Sequence, residues 1–205
     1  MALHLRQTLT AAQAAAILVE LGWPKTGSLS AFVKAFQEGW HLGPALKVDG
    51  IVGPITSEAL RTSLVMHRAG RGDASQHFSF NEFHCKCGAT LAGCKGTLIL
   101  RELLESLEKL RATNYPNGLT IVSGYRCQIW NHQAGGAIQS QHMYGAAADV
   151  QYATDYKNVE ALDSFAGIGK SASTDKVRHV DRRDVSGTNP TDSTCLRPAV
   201  WNYAV

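Results

Sequence analysis

The sequence predicts an α+β protein in which a module of three short helices precedes a small mixed domain. Apolar residues recur with the 3.6-residue period of helices in the first part of the chain. A leucine stripe marks a longer helix at about residues 98–112, and short β-branched segments follow it. The chain has 205 residues, of which 44% are hydrophobic and 18% are charged. This is enough for one domain of moderate size or two small ones.

Three short helices are predicted within residues 1–68. The first begins after Thr10 and the second after Ser28 or Ser30, because these residue types satisfy the free N–H groups at a helix start. A turn at residues 47–54 contains Asp-Gly and Gly-Pro pairs and leads into a third helix over about residues 56–66. The apolar positions that follow the helical period are Ala14, Ile17, Leu18, Leu21, Phe32, Val33 and Phe36.

Residues 69–76 (AGRGDASQ) predict an exposed linker, since they are small and polar. They divide a helical domain, residues 1–68, from a second domain, residues 77–205.

The second domain contains the strongest helix signal and several strands. Five leucines interleaved with charged residues predict a helix from Leu98 to about Ala112. Strands are predicted at residues 119–123, 147–152 and 177–181, and a further helix at about residues 158–166.

Five cysteines form an odd set, and three of them lie within ten residues. Cys85, Cys87 and Cys94, together with His84 or Cys127, have the residue types of a structural zinc site, but Cys-x-Cys is tighter than the usual Cys-x2-Cys spacing. We interpret the set as buried free thiols with one or two disulfides. The fifth cysteine is Cys195.

Two histidines and one aspartate predict a catalytic metal site. His142, Asp149 and His179 supply two imidazoles and a carboxylate, the ligand count of a catalytic zinc ion that keeps a position open for water. His142 and Asp149 are seven residues apart, which does not suit one helix face. The spacing suits a loop that folds back through Gly145, so that a carboxylate on a strand meets the imidazole.

Several separated motifs around these residues resemble the zinc D-alanyl-D-alanine peptidase family over roughly residues 77–185. They occur in the family's order and are 123–126 (SGYR), Asn131, 140–149 (SQHMYGAAAD), 167–169 (GIG) and 179–181 (HVD). The resemblance implies that His142, Asp149 and His179 bind zinc, and that Arg126 holds a carbonyl or carboxylate of the substrate. It also implies a small α+β domain whose central antiparallel sheet presents the metal in a groove. A structural ion pair is the alternative role for Arg126.

The general base is the point at which the chain departs from this family. Several members place an acidic residue three positions before the last histidine ligand, or a second histidine two positions before it, where this chain has Lys176 and Val177. Asp181 is the first candidate, because residues two apart on a strand share a face with His179. Its alternative role is to orient a metal ligand. Asp175 is the second candidate base.

The first domain carries a second resemblance. Residues 48–60 (VDGIVGPITSEAL) are similar to the repeat signature of peptidoglycan-binding-like domains, although turn and helix-start chemistry alone also explains them. Together the two domains predict a zinc-dependent peptidoglycan peptidase that hydrolyses a stem or cross-bridge amide bond, with the D-alanyl type favoured. The alternatives are an L-alanyl-D-glutamate endopeptidase and a non-catalytic wall-binding or virion structural protein.

Charge and the N-terminal residues add expectations about partners and location. A net charge of +3 is too mild for a dedicated nucleic-acid binder but favours approach to an anionic polymer such as bacterial peptidoglycan. No secretory signal or membrane-spanning run is evident in the sequence. We expect a monomer made in a host cytoplasm, with no membrane insertion, that acts on the bacterial wall as a bacteriophage endolysin does.

Overall fold

The computed structural model describes residues 7–115, 117–151, 154–183 and 199–203, and within them it has the predicted α+β architecture. The helices are α1 (Ala11–Glu20), α2 (Leu29–Gly39), α3 (Pro54–Arg68), α4 (Arg101–Asn114), α5 (Gln128–Gln133) and α6 (Tyr156–Glu160). Two short 3-10 helices span Phe80–Phe83 and Gln141–Tyr144. The strands are β1 (Ile121–Ser123), β2 (Ala147–Val150), β3 (Gly167–Ser171), β4 (Val177–Asp181) and β5 (Ala199–Tyr203).

The described strands form one sheet in the order β1-β2-β4-β3-β5. The three pairs formed by the first four strands of this order are antiparallel, which confirms the predicted central antiparallel sheet, and β5 pairs parallel to β3 at one edge. No helix in the described part of the chain is both long and apolar enough to cross a membrane.

The three predicted N-terminal helices are present. Thr10 accepts a hydrogen bond from the backbone of Gln13 and the side chain of Gln13 accepts one in return, which closes a capping box at the start of α1. Ser28 caps α2 by accepting a hydrogen bond from the backbone N–H of Ala31. The third helix begins earlier than predicted, at Pro54, because proline has the backbone angle of a first helical residue and lacks the N–H that would otherwise be unpaired there.

The turn that precedes α3 is held by a buried side chain, Gln37. Its amide nitrogen donates to Asp49 Oδ1 at 3.0 Å and to Thr56 Oγ1 at 3.1 Å, and its oxygen accepts from the backbone N–H of Asp49 and Gly50. Only 2% of Gln37 is exposed. Asp49 and Thr56, two residues of the peptidoglycan-binding-like pattern, therefore fix the local fold.

The predicted exposed linker is wrong for its central residues, because Gly72, Asp73, Ala74 and Ser75 are buried. Asp73 Oδ1 accepts from the backbone N–H of Phe80 at 2.8 Å, and Asp73 Oδ2 lies 2.7 Å from a ring nitrogen of His67. Small polar residues are typical of solvated loops, but here their polar groups are hydrogen-bonded to other parts of the folded chain, such as Phe80, His67 and Glu108.

The first three helices pack against the second domain through aromatic rings. The ring of Phe80 lies 4.9 Å from that of Trp23 and 5.4 Å from that of Phe36, and one continuous hydrophobic core includes all three. A Cβ at Gly39 would come within 2.8 Å of Ile99, so the two segments approach closely. The division into domains at residues 68 and 77 stays a prediction.

Several elements of the second domain differ from the sequence expectation. Helix α4 begins at Arg101, because the buried Leu100 has an extended backbone and donates its N–H to the Gly145 carbonyl at 2.9 Å. Helix α6 is shorter and begins two residues earlier than predicted. Strand β4 has the predicted bounds, whereas α5, β3 and β5 were not predicted.

Candidate metal centre

The register of two strands brings two of the candidate ligands together. Asp149 on β2 is paired with His179 on β4, and residues paired across an antiparallel ladder project side by side from one face. The third candidate, His142, lies in the 3-10 helix just before β2. His142, Asp149 and His179 therefore converge, as predicted.

Gly145 makes the loop between His142 and Asp149 possible, as the spacing predicted. It has a left-handed backbone with φ 69°, which side chains other than glycine adopt at a cost. A Cβ at this position would also come within 2.9 Å of the Leu98 backbone. The chain can thus turn sharply from the 3-10 helix into β2, because glycine satisfies both the angle and the close approach.

The three ligand atoms lie at the separations that a tetrahedral zinc ion requires. His142 Nε2 is 3.2 Å from Asp149 Oδ1 and 3.2 Å from His179 Nδ1, and the latter nitrogen is 3.0 Å from the same aspartate oxygen. Two donors bound at about 2.0 Å with a tetrahedral angle between them are about 3.3 Å apart. The site is therefore close to metal geometry.

In both imidazoles, the nitrogen that faces away from the candidate ligand atoms has a hydrogen-bond partner, and these partners show which nitrogens carry the ring protons. His142 Nδ1 lies 2.7 Å from the Gly124 carbonyl oxygen, and His179 Nε2 lies 3.1 Å from Asp181 Oδ2. Both oxygens only accept, so these nitrogens carry the ring protons. The unprotonated nitrogen of each ring, His142 Nε2 or His179 Nδ1, therefore faces the Asp149 carboxylate. A metal cation among these atoms would bind all three of them.

The electrostatics of two of these ligands support the same assignment. Burial lowers the pKa of His142, which favours the neutral ring that a metal requires. Burial would raise the pKa of Asp149, but hydrogen bonds from His142 and His179 outweigh it, so the pKa lies well below its usual value. The carboxylate is consequently ionised at any working pH.

Arg126 lies beside the metal ligands. Its guanidinium pairs with Asp149 Oδ2, the carboxylate oxygen turned away from the two imidazoles, and its Nε donates to Ser123 Oγ at 3.1 Å. The Arg126 backbone N–H also donates to the His142 carbonyl at 3.1 Å. Arg126 therefore makes an ion pair with one of the three candidate ligands, which is the alternative role considered for it, and its binding of substrate stays a prediction.

Asp181 lies behind His179 and is not at the point where the ligand atoms converge. It is fully buried and contacts the outer nitrogen of His179, while Arg183 donates to both of its oxygens at 2.9 and 2.7 Å. Burial would raise the pKa of Asp181, but hydrogen bonds with His179 and Arg183 hold it at about 2. Gly167 on β3 leaves room for this carboxylate, since a Cβ there would lie 2.2 Å from Asp181 Oδ2. This geometry favours the orienting role for Asp181 over the predicted general base.

The second candidate base, Asp175, makes its contacts elsewhere, and so do the residues at the two positions where family members carry a base. Asp175 lies in the turn between β3 and β4, where it pairs with Lys170, and it is not among the described residues that line the cavity. Lys176 pairs with Asp155 at 2.9 Å, and Val177 is buried at the start of β4. The geometry therefore does not support Asp175 as the base.

A cavity of about 600 Å³ opens at the three ligands. Arg126, Arg178 and Arg183 are in its lining, and the acidic residues in the described lining are Asp149 and Asp181. Positive charge exceeds negative charge around the cavity, so it suits an anionic ligand such as the carboxylate of a peptide.

The cysteine prediction is wrong in one respect. Cys85, Cys87, Cys94 and Cys127 are free thiols, so none of the disulfides expected among them is formed. Their sulfur atoms instead lie within 4.8 Å of one another. Cys195 lies outside the described residues.

Two imidazoles and a carboxylate converge at a cavity, and this is a group of side chains that could hold a metal ion such as zinc. A family model described as Peptidase M15 matches residues 76–181, just over half of the chain, so the protein belongs to this family. It is also 28% identical over 142 residues to the zinc D-Ala-D-Ala carboxypeptidase of Streptomyces albus G, which covers 63% of this chain. The chain spans 53% of the length of that relative.

Three supporting residues were missed at the sequence level. Gly124 holds His142 through its carbonyl oxygen, Ser123 contacts Arg126, and Arg183 neutralises Asp181. Arg183 lies in the turn after β4, so strand alternation does not place it beside Asp181. The contact of the Gly124 carbonyl with His142 could not be predicted, because every residue has a backbone carbonyl.

Proposed function

We propose that the protein is a zinc-dependent peptidase that hydrolyses an amide bond in the stem or cross-bridge peptide of bacterial peptidoglycan, with the D-alanyl type favoured. The observation that carries the proposal is the convergence of three lone-pair atoms, from His142, Asp149 and His179, at a cavity. Membership of the Peptidase M15 family and the similarity to a zinc D-Ala-D-Ala carboxypeptidase support it.

The protein's own residues divide the work between metal binding and substrate binding. Zinc, when bound by the three ligands, supplies a Lewis acid and an activated water. Gly124 and Asp181 fix the two imidazoles through their outer nitrogens. Arg126 uses Nε and Nη2 to contact Ser123 and Asp149, and the other N–H groups of its guanidinium can hold a substrate carbonyl or terminal carboxylate and stabilise negative charge that develops during hydrolysis.

Digestion of purified peptidoglycan tests the proposal and identifies the bond. We expect the zinc-loaded protein to release products whose new termini, read by mass spectrometry, lie at a D-alanyl bond. New termini between L-alanine and D-glutamate would assign the endopeptidase activity instead. An unchanged muropeptide profile would refute enzymatic cleavage and leave the non-catalytic wall-binding or virion structural role.

Replacing Asp181 with asparagine separates its two candidate roles. Asparagine keeps an acceptor for His179 Nε2 but loses the negative charge, so we expect zinc affinity to fall about 10- to 100-fold. Activity should return when zinc is added in excess, as measured by titration of the dialysed protein with zinc and by hydrolysis assays at each zinc concentration.

The opposite result would restore Asp181 as the general base. In that case zinc affinity would be unchanged, and the rate would fall by about 10²–10⁴-fold without rescue by zinc. Asp175→Asn is the matched control, because this carboxylate pairs with Lys170 in a turn. It should leave both zinc affinity and rate unchanged.

We also propose that the first three helices hold the enzyme on the wall and that the protein acts as a monomeric phage endolysin. Val48, Ile51 and Ile55 support wall binding, since they are 47, 63 and 72% exposed around the turn before α3.

The double change Ile51→Ser and Ile55→Ser should slow digestion of intact sacculi several-fold, because the concentration of the enzyme at the wall surface falls. Cleavage of a soluble peptide should not change, and an equal loss on both substrates would refute the binding role.

A further inference from the structure

The four free cysteines form a compact cluster that shares no residue with the candidate zinc ligands. Cys87 Sγ lies 3.5 Å from Cys94 Sγ and 3.9 Å from Cys127 Sγ, and all four sulfur atoms lie within 4.8 Å of one another. Cys85 and Cys127 are buried, and the other two are half-buried. Three of these residues come from the segment 85–94, and the fourth comes from the start of α5.

These separations fit a shared metal ion better than disulfides. Two sulfur atoms in a disulfide are about 2.05 Å apart. Two thiolates bound to zinc at about 2.3 Å with a tetrahedral angle are about 3.8 Å apart. The measured values of 3.5 and 3.9 Å bracket the second distance.

Backbone N–H groups point at three of the sulfur atoms. Cys127 N–H donates to Cys85 Sγ at 3.3 Å, Trp130 N–H donates to Cys127 Sγ at 3.5 Å, and Gly96 N–H donates to Cys94 Sγ at 3.4 Å. Sulfur is a weak acceptor as a thiol and a better one as a metal-bound thiolate. The surrounding backbone is therefore arranged to stabilise negative charge on the cluster.

We propose that Cys85, Cys87, Cys94 and Cys127 bind a structural zinc ion, separate from the hydrolytic centre. Four thiolates complete a tetrahedral shell and leave no position for water, which is the arrangement of structural zinc sites. The chain would then hold two zinc ions with different tasks, one bound by two imidazoles and a carboxylate and the other by sulfur alone.

The position of the cluster explains what the second ion stabilises. The residues between Cys87 and Cys94 are exposed or half-buried, so this loop has little core of its own. The ion would join it to Cys127, which directly follows Arg126 and caps α5. The segment before it is held by Tyr125 N–H, which donates to the Phe83 carbonyl at 3.0 Å. The structural zinc ion would thereby fix the segment between β1 and α5 that carries Arg126.

Metal counting on the full-length protein tests the inference. Protein purified without chelator should contain two zinc ions per chain by mass spectrometry of the metal. His142→Ala should contain one, and Cys87→Ser should also contain one. Cys195→Ser is the matched control and should retain two, because the other four cysteines already complete the shell.

A cobalt substitution decides the question even where a cysteine variant fails to fold. His142→Ala loaded with Co²⁺ should show strong sulfur-to-cobalt charge-transfer absorption, which only thiolate ligands produce. Absence of this absorption would overturn the proposal. Detection of a disulfide among the four cysteines in the native protein, or equal zinc content in wild type and Cys87→Ser, would also overturn it. These readouts do not depend on peptidase activity, so they are independent of the proposed function.

Discussion

Replacing His142 with alanine is expected to release zinc from the hydrolytic centre and to abolish cleavage of peptidoglycan. His142 is 2% exposed and supplies one of three donors, so its loss leaves Asp149 and His179 with an incomplete set. A loss of about 4 kcal/mol or more of transition-state stabilisation corresponds to a rate at least about 10³-fold lower. Zinc content after dialysis should fall by one ion per chain, and the digestion assay should show the corresponding loss of rate.

His132→Ala is the matched control for this change. His132 is an exposed histidine on α5 and is not among the described residues that line the cavity. It should retain wild-type zinc content and rate. Thermal unfolding of both variants will separate metal loss from unfolding. Full activity of a folded His142→Ala protein would contradict the assigned centre.

The convergence of the candidate metal ligands was predictable in part, because the spacing of His142 and Asp149 around Gly145 indicates a local turn. A histidine, a glycine three residues later and an aspartate four residues after that specify the fold-back that brings His142 to Asp149. The pairing of Asp149 with His179 was not specified by spacing, since thirty residues separate them and the register depends on the whole sheet. The family resemblance supplied that link.

The roles of supporting residues were harder to predict than the ligands. Asp181 and His179 share a strand face, as the two-residue period of a strand predicted. A carboxylate on that face could contact either of the two ring nitrogens of His179, the one at the candidate ligands or the other. Only the ring orientation distinguishes them. It places Nδ1 at the ligands and Nε2 at Asp181, so the same sequence pattern fitted a base and an orienting residue equally well.

Parts of the fold were missed where local sequence and tertiary contacts disagree. Strand β3 contains two glycines and a lysine, a composition with low strand propensity, yet it lies between β4 and β5 in the sheet. Asp73 looked like a solvated linker residue, because its internal hydrogen bonds join it to groups that only the folded chain brings near. The sequence left His84 and Cys127 as alternatives for the fourth member of the cysteine cluster and favoured disulfides, since Cys127 reaches the other three only through the fold.

Replacing Arg126 with alanine is expected to lower kcat/KM about 10²–10³-fold while zinc remains bound. The guanidinium pairs with the Asp149 oxygen that faces away from the imidazoles, so the ligand oxygen itself is retained when Arg126 is removed. The lost donors would have stabilised charge on the substrate, and removing such a donor costs this magnitude. Arg126→Lys should recover only part of the rate, because an ammonium lacks the paired N–H groups of the fork.

Comparison of two substrates separates this role from a structural ion pair. If Arg126 holds a terminal carboxylate, amidation of that carboxylate should slow wild-type hydrolysis about as much as Arg126→Ala does, and combining both changes should add little. Arg71→Ala removes one positive charge at an exposed position and is the control for net charge. A purely structural Arg126 would instead lower zinc affinity or stability, and excess zinc would restore kcat/KM. The interaction between substrate carboxylate and guanidinium is thus measured directly, because the structural role predicts additive losses and the binding role does not.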